Sequence, residues 1–230
     1  DPIGVVLGVM PWNYPFWQVF RFAAPTLTAG NTALLKHASN VWKCAEQIAS
    51  VFREAGYPEG AFQVLNISSE RVSDIIENAS VQAVSLTGST PAGAAVASKA
   101  GSLIKKSVLE LGGNNALVVF DDADLEQALE TCLQARFQNT GQSCIAGKRL
   151  LLQKSIAATF REAFCKRVEA LQDGDPMELE TEISVMARED LAETLHAQMQ
   201  QSVQMGARIL VGGSREGTFF APTVLEGVRP

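Results

Sequence analysis

The sequence is poor in the residues that build metal centres and disulfide frameworks. Cysteine occurs four times in 230 residues, at Cys44, Cys132, Cys144 and Cys165. That is too few, and too scattered, for a disulfide scaffold. Histidine occurs twice, at His37 and His196, and neither a CxxC nor an HExxH pattern is present. No zinc site, structural or catalytic, is expected. Positive charge is also short: 19 Lys and Arg stand against 25 Asp and Glu, a net charge of −6. This argues against a nucleic-acid partner and against a membrane-surface footprint. The longest uncharged stretch, residues 2–20, contains Pro2, Pro11, Asn13, Pro15 and Gln18. Such breakers favour strands and turns over a membrane span, and the basic start and cleavage site of a signal peptide are missing. No repeat, low-complexity tract or linker stands out. A soluble, cytoplasmic protein is the expectation.

What is present is an ordinary globular composition, 47% apolar and 19% charged, enough to bury a real core. The length predicts one large domain or two small ones. Apolar runs at Ile3 to Val9, Ala33 to Lys36, Phe62 to Ile67 and Ala83 to Leu86 read as strands. Between them, Val41, Ala45, Ile48 and Phe52 fall on one helical face, Val72 to Ala79 suggests a short helix, and Pro91 to Ala100 a small-residue helix. Strand alternating with helix predicts an α/β fold with a mostly parallel sheet. The second half continues the pattern, with strands at Ser107 to Leu111, Ala116 to Phe120, Arg149 to Leu152 and Arg208 to Val211. Helices are expected after Asp122 or Asp124, over Ala157 to Leu171 and over Leu191 to Met205. The turn at Gly112-Gly113 is the best candidate boundary.

Two residues carry chemical interest. Cys44, Cys132 and Cys165 lie among apolar helical positions and read as buried thiols. Cys144 instead sits in a polar, glycine-bounded loop, Asn139-Thr140-Gly141-Gln142-Ser143-Cys144, where functional residues concentrate. A nucleophilic role there needs a base or oriented backbone N–H groups, and no histidine is near in sequence. Glu110, between Leu109 and Leu111 at a strand end, fits either a general base or an alternating residue facing solvent. No GxGxxG occurs, but Thr87-Gly88-Ser89-Thr90 follows a strand and opens a helix, a place that favours an anion such as a pyrophosphate.

Taken together, these residues resemble the aldehyde dehydrogenase superfamily. The motifs are Met10-Pro11-Trp12-Asn13-Tyr14-Pro15, Gly30-Asn31 with Lys36, Thr87 to Thr90 with Gly93, Leu109 to Gly113, and Asn139 to Cys144. They occur in the family's order, and the separation of Glu110 from Cys144 matches as well. The resemblance implies a Rossmann-like parallel sheet within residues 1–108, part of an NAD(P)-binding domain. Residues 109–230 would be the first part of a second, α/β catalytic domain. It implies Cys144 as nucleophile, the Asn13 amide and Cys144 N–H as oxyanion donors, and Glu110 as the base for thioester hydrolysis. For the cofactor, NAD or NADP, it implies Lys36 on the adenosine ribose and Gly88 and Ser89 at the pyrophosphate. Trp12, Ser39, Gly93 and Leu111 would complete the cofactor cleft.

The Lys36-His37-Ala38-Ser39 run resembles the succinate-semialdehyde branch. NAD-specific relatives often carry Glu where Ser39 stands; a hydroxyl there does not repel a 2′-phosphate, so NADP is permitted. Arg21 lies where that branch carries a substrate-binding arginine, able to hold a distal carboxylate bidentately. Gln138 stands where a second arginine is often found, with Arg136 a possible substitute. Ala146 replaces a second cysteine, so no disulfide switch is expected. The resemblance implies a small-molecule aldehyde as substrate and a parent homodimer or homotetramer. Family members are about twice this length, which makes an internal piece with little turnover of its own the expectation. The alternatives are a non-catalytic fragment and a cofactor-independent thiol esterase using Cys144, Asn13 and Glu110.

Overall fold

The computed structural model of the chain describes residues 1–229. The chain divides into two compact units, Asp1–Gly112 and the residues from Gly113 onward. The first unit is built on strands β1 (Val5–Met10), β2 (Thr32–His37), β3 (Phe62–Val64), β4 (Val81–Thr87) and β5 (Lys106–Glu110). All pair in parallel, in the order β3-β2-β1-β4-β5. Helices α1 (Trp17–Thr28), α2 (Trp42–Glu54), α3 (Val72–Glu77) and α4 (Thr90–Ser102) connect them. This is the strand order of a Rossmann-like sheet, whose direction of winding reverses between β1 and β4.

The apolar runs become buried strands because helices cover both faces. One core joins Val6, Met10, Ala33 and Leu35 to Val19, Phe22 and Ala23 of α1 and Ile48 and Phe52 of α2. The other joins Leu7, Val84 and Leu86 to Val72 and Ile76 of α3 and Val96 of α4. Leu7, Leu35 and Ile48 are fully enclosed, each contributing about 1.5–3 kcal/mol of apolar burial. Gly8 is required beneath α1, since a Cβ there would stand 2.4 Å from Cε1 of Phe22.

The sequence reading assigned strands and turns to residues 2–20 and missed α1, which starts at Trp17. The helix tolerates Pro25 in its last turns, losing one main-chain bond there. Its apolar stripe is short, with Val19, Phe22 and Ala23 buried, so the helical period was masked by the prolines around it. Strand β3 is also shorter than its apolar run, ending at Val64.

The second unit contains β6 (Asn115–Val119), α5 (Leu125–Phe137), β7 (Gly147–Leu152), α6 (Ala157–Glu169) and α7 (Glu189–Gln204). After these come β8 (Arg208–Val211), β9 (Arg215–Glu216), β10 (Phe219–Phe220) and β11 (Val224–Glu226). Strands β6 and β7 pair in parallel, with α5 as their crossover. Asp124 caps α5, its Oδ1 accepting from the N–H of Glu126 and of Gln127, both at 3.1 Å. Val119, Cys132, Leu133, Phe160, Phe164 and Val168 form the core beneath. Strand β8 pairs antiparallel with β11, and β9 with β10.

Candidate active site

In the first unit the candidate residues gather at the carboxyl ends of the parallel strands, where open α/β sheets take their ligands. Trp12 and Asn13 leave the end of β1 and are half-buried. Their loop is tied on both sides. The Gln18 N–H donates to the carbonyl of Tyr14 at 3.0 Å, and the Nε2 of His37, at the end of β2, lies 3.0 Å from the carbonyl of Pro15. The Nδ1 of His37 lies 3.2 Å from the Met10 carbonyl and 3.0 Å from the Ala38 nitrogen. Burial pushes the pKa of His37 down, against the backbone carbonyls of Met10 and Pro15, which favour the charged ring. His37 is thus a neutral strut that fastens the Asn13 loop to β2.

Beside it, Lys36 is buried, its Nζ 3.3 Å from the Oγ of Ser69. Burial draws its ammonium below the ordinary lysine range. Ser39 is exposed and opens a short 3₁₀ turn. It lines a cavity of about 160 Å³ with His37, Trp42, Glu46 and residues 64–67. Glu46 was not foreseen, and it brings a carboxylate to the cavity that Ser39 leaves uncharged.

At the end of β4, the Gly88 N–H donates to the main-chain carbonyl of Glu110 at 3.0 Å. Ser89 is the N-cap of α4, its Oγ accepting from the Ala92 N–H at 3.4 Å. Gly93 sits one turn on, where a Cβ would lie 2.5 Å from Cδ2 of Leu111. Gly93 and Leu111 therefore share one packing contact.

Glu110 closes β5, and its Oε1 lies 3.2 Å from Nη2 of Arg21 on α1, with the two side chains 49% and 46% exposed. Both line a cavity of about 370 Å³, together with Gln18 and Lys106. The residues expected to act as base and as carboxylate anchor are thus partners in this structure. Sequence reading gave no sign of it, because the pairing depends on where α1 crosses the sheet. Gln18 was also missed as a lining residue; it is buried, and its Oε1 has no hydrogen-bond partner among the described residues.

Cys144 belongs to the second unit, in the connection between α5 and β7. The chain there takes an uncommon course: Asn139, Thr140 and Gly141 have φ of 56°, 54° and 70°. Left-handed backbone suits glycine and is tolerated by asparagine, but it strains a β-branched threonine. The loop is braced from outside. The Thr140 Oγ1 accepts from the Ser184 N–H at 3.3 Å, and the Gln142 Oε1 from the Ala187 N–H at 3.0 Å. Arg136 Nη1 donates to the Gly141 carbonyl at 3.2 Å. Lys148 Nζ donates to the carbonyls of Ser143, Cys144 and Ala146 at 3.3, 3.5 and 3.2 Å. Burial, then the nearby Arg136 cation, lowers the pKa of Lys148, while Cys144 raises it. In the sequence, the signal available for Lys148 was a cation four residues beyond a loop thiol.

Of the four thiols only Cys132 is buried; Cys44, Cys144 and Cys165 are half-buried, which corrects the expectation of buried thiols at Cys44 and Cys165. Cys132 is 4% exposed, and burial pushes its thiol up; burial does the same at Cys165. Among the described residues no group of three or more His, Cys, Asp or Glu is placed to hold a metal ion, and no helix is long and apolar enough to cross a membrane.

Comparison with known proteins gives a consistent match. The profile of the aldehyde dehydrogenase family matches residues 1–230. The probable NADP(+) succinate-semialdehyde dehydrogenase of Synechocystis sp. is 50% identical over 233 residues, covering 100% of this chain and 51% of that protein. The NAD(P)+ succinate semialdehyde dehydrogenase Sad of Escherichia coli K12 is 46% identical over 232 residues, covering 100% of this chain and 50% of that protein. The crystal structure of succinic semialdehyde dehydrogenase from Streptococcus pyogenes with NADP+ superposes with a TM-score of 0.96 at 34% identity, covering 100% of this chain and 51% of that one. The chain spans about half the length of the curated relatives it matches.

Proposed function

The chain belongs to the aldehyde dehydrogenase family, and from that premise we propose that it carries the acyl-transfer chemistry of an NAD(P)-dependent aldehyde oxidation, with succinate semialdehyde as substrate. The first unit is part of the cofactor-binding domain, and the second is the first part of the catalytic domain. The observation that carries the reading is the Cys144 loop. It carries a half-buried thiol just beyond the left-handed backbone of Asn139 and Thr140; the Arg136 and Lys148 side chains donate to its main chain, and its own Thr140 and Gln142 side chains accept from the Ser184 and Ala187 N–H groups. Strain that persists because its surroundings over-determine it is characteristic of functional loops.

The cofactor residues fit a nicotinamide dinucleotide. Lys36 is a desolvated cation at the end of β2 with a hydroxyl neighbour, next to a cavity with both apolar and polar walls. Lys36 would hold the adenosine ribose, Ser39 would line the site of its 2′ substituent, and Ser89 at the start of α4 would meet the pyrophosphate. Trp12, Gly88, Gly93 and Leu111 would shape the cleft. The names of the Synechocystis and Escherichia coli relatives support NADP as well as NAD.

In the reaction, the Cys144 sulfur bonds to the aldehyde carbon and the carbonyl π electrons move to oxygen. The Asn13 amide and the Cys144 N–H donate to that oxyanion, neither changing its charge as it does so. A nicotinamide dinucleotide held by Lys36, Ser39 and Ser89 would supply the hydride acceptor, and the collapse of the oxyanion would leave a thioester on Cys144. Glu110 takes a proton from water as the water oxygen bonds to the thioester carbon. The C–S bond then breaks, the thiolate returns to Cys144, and the carboxylate leaves. Arg21, which pairs with Glu110 in this structure, binds the distal carboxylate of the substrate.

A steady-state panel on the full-length protein tests this. Succinate semialdehyde, glutarate semialdehyde and butanal are each assayed with NAD and NADP. Succinate semialdehyde is expected to have the highest kcat/KM, and Cys144→Ser to abolish turnover of all three. Arg21→Ala should weaken only the two charged aldehydes; equal losses for all three would remove the carboxylate role.

A further inference from the structure

Lys148 has no part in the scheme above, yet it holds the loop that carries the nucleophile. Its ammonium has three N–H donors and no acceptor. Three carbonyls lie within reach, those of Ser143, Cys144 and Ala146. The first of these matters most. A peptide unit is planar and trans, so its C=O and N–H point in opposite directions. The Ser143 carbonyl and the Cys144 N–H belong to one such unit. A cation fixed on the Ser143 oxygen therefore aims the Cys144 N–H the other way. The same Ser143 carbonyl also accepts from the Ala146 N–H at 3.2 Å, beside the Lys148 ammonium, and Arg136 holds the Gly141 carbonyl two peptides back.

We propose that Lys148 is a positioning residue that sets the direction of the Cys144 N–H, and so builds the main-chain half of the oxyanion site. The inference rests on the proposed role of Cys144 as nucleophile. It assigns Lys148 no contact with substrate. Charge adds to the effect of geometry, because a cation on the carbonyl oxygen polarises the peptide and strengthens its N–H as a donor.

Two reactions of one thiol separate this from other roles. Acylation of Cys144 by p-nitrophenyl acetate passes through a tetrahedral oxyanion; alkylation by iodoacetamide displaces iodide at carbon and forms none. Both run without cofactor. Lys148→Met is expected to slow acylation roughly tenfold or more, short of the 10²–10³ that follows deletion of an oxyanion donor, and to leave alkylation nearly unchanged. Lys148→Arg, which keeps a cation able to reach carbonyls, should recover most of the loss. The amide ¹H and ¹⁵N shifts of Cys144 should move in Lys148→Met and return in Lys148→Arg.

Equal loss of both reactions in Lys148→Met would overturn the proposal, since it would mean that the lysine acts on the thiol or on the fold. Unchanged acylation would overturn it too. If instead Cys144→Ser left acylation intact, the nucleophile assignment itself would fail, whatever Lys148 does.

Discussion

Gly147 opens β7 three residues after Cys144, and its replacement by alanine gives a perturbation whose size can be worked out. A Cβ at this position would stand 2.4 Å from Cγ of Leu117, 2.5 Å from its Cδ1 and 2.9 Å from its Cδ2. Carbon atoms in comfortable contact are about 3.5–4.0 Å apart. The clash includes the branch carbon of Leu117, so turning one methyl aside does not relieve it. Overpacking of this kind costs about 1–3 kcal/mol. Against it, alanine restricts the unfolded chain and returns about 0.4–1 kcal/mol. The deep overlap wins, and a net loss of about 1–2 kcal/mol is expected, a factor of about 5–30 in the opening equilibrium.

The assay must report the second unit. All three tryptophans and both tyrosines precede Gly113, so intrinsic fluorescence follows the first unit. Cys132 is 4% exposed in the core below β6 and β7, and its labelling by a thiol reagent, read by peptide mass, measures opening there. Gly147→Ala should raise that rate by the factor above. Leu117→Ala removes the obstructing atoms, so the double variant should be more stable than the sum of the two single losses. A Cys132 labelling rate within about twofold of the parent, or simple additivity in the double variant, would refute the packing argument.

Three further outcomes are expected. Asn13→Ala should lower kcat by about 10²–10³, or about 2.7–4 kcal/mol of transition-state stabilisation, with KM less affected, as steady-state kinetics on the full-length protein can measure. If the cavity lined by Ser39 and Glu46 takes the 2′ substituent as proposed, Ser39→Glu should raise KM for NADP more than for NAD, because a second carboxylate would join Glu46 there; parallel titration of both cofactors checks it. His37 is held neutral by burial, with its folded pKa below its unfolded one, so the unfolded chain binds the extra proton first. Stability should be full above about pH 6.5 and fall as pH drops through the window beneath it, levelling off below the folded pKa. His37→Gln should flatten that dependence when fluorescence-detected thermal unfolding is compared across pH.

The sequence made some of this molecule legible and hid the rest for definable reasons. Strands β1, β2 and β4 stood out because each is a bare apolar run, and Asp124 marked the start of α5 because a capping carboxylate acts within three residues. The motifs at Asn13, Glu110 and Cys144, on which the proposed function rests, drew notice in the sequence as unusual residues in fixed local company. Helix α1 was hidden by the breakers just ahead of it, Pro11, Asn13 and Pro15. The Arg21–Glu110 pair could not be read, because it joins a helix near the start of the chain to the last strand of the sheet. Nor could the bracing of Thr140 by Ser184 and of Gln142 by Ala187, which depends on a later loop folding back. Local chemistry is written locally, whereas pairings made by the fold are not.

The left-handed course of Asn139 and Thr140 also orders events in time. Each such residue costs of order 1–3 kcal/mol unless its surroundings hold it. The holders are remote: the amides of Ser184 and Ala187 lie 44 and 45 residues further along the chain. While a nascent chain lacks them, Asn139 and Thr140 relax to ordinary backbone and the polypeptide around Cys144 has no set shape. The thiol therefore acquires its working surroundings late, after α5, β7 and α6 have been synthesised, and the loop is cocked only when the loop before α7 docks against it.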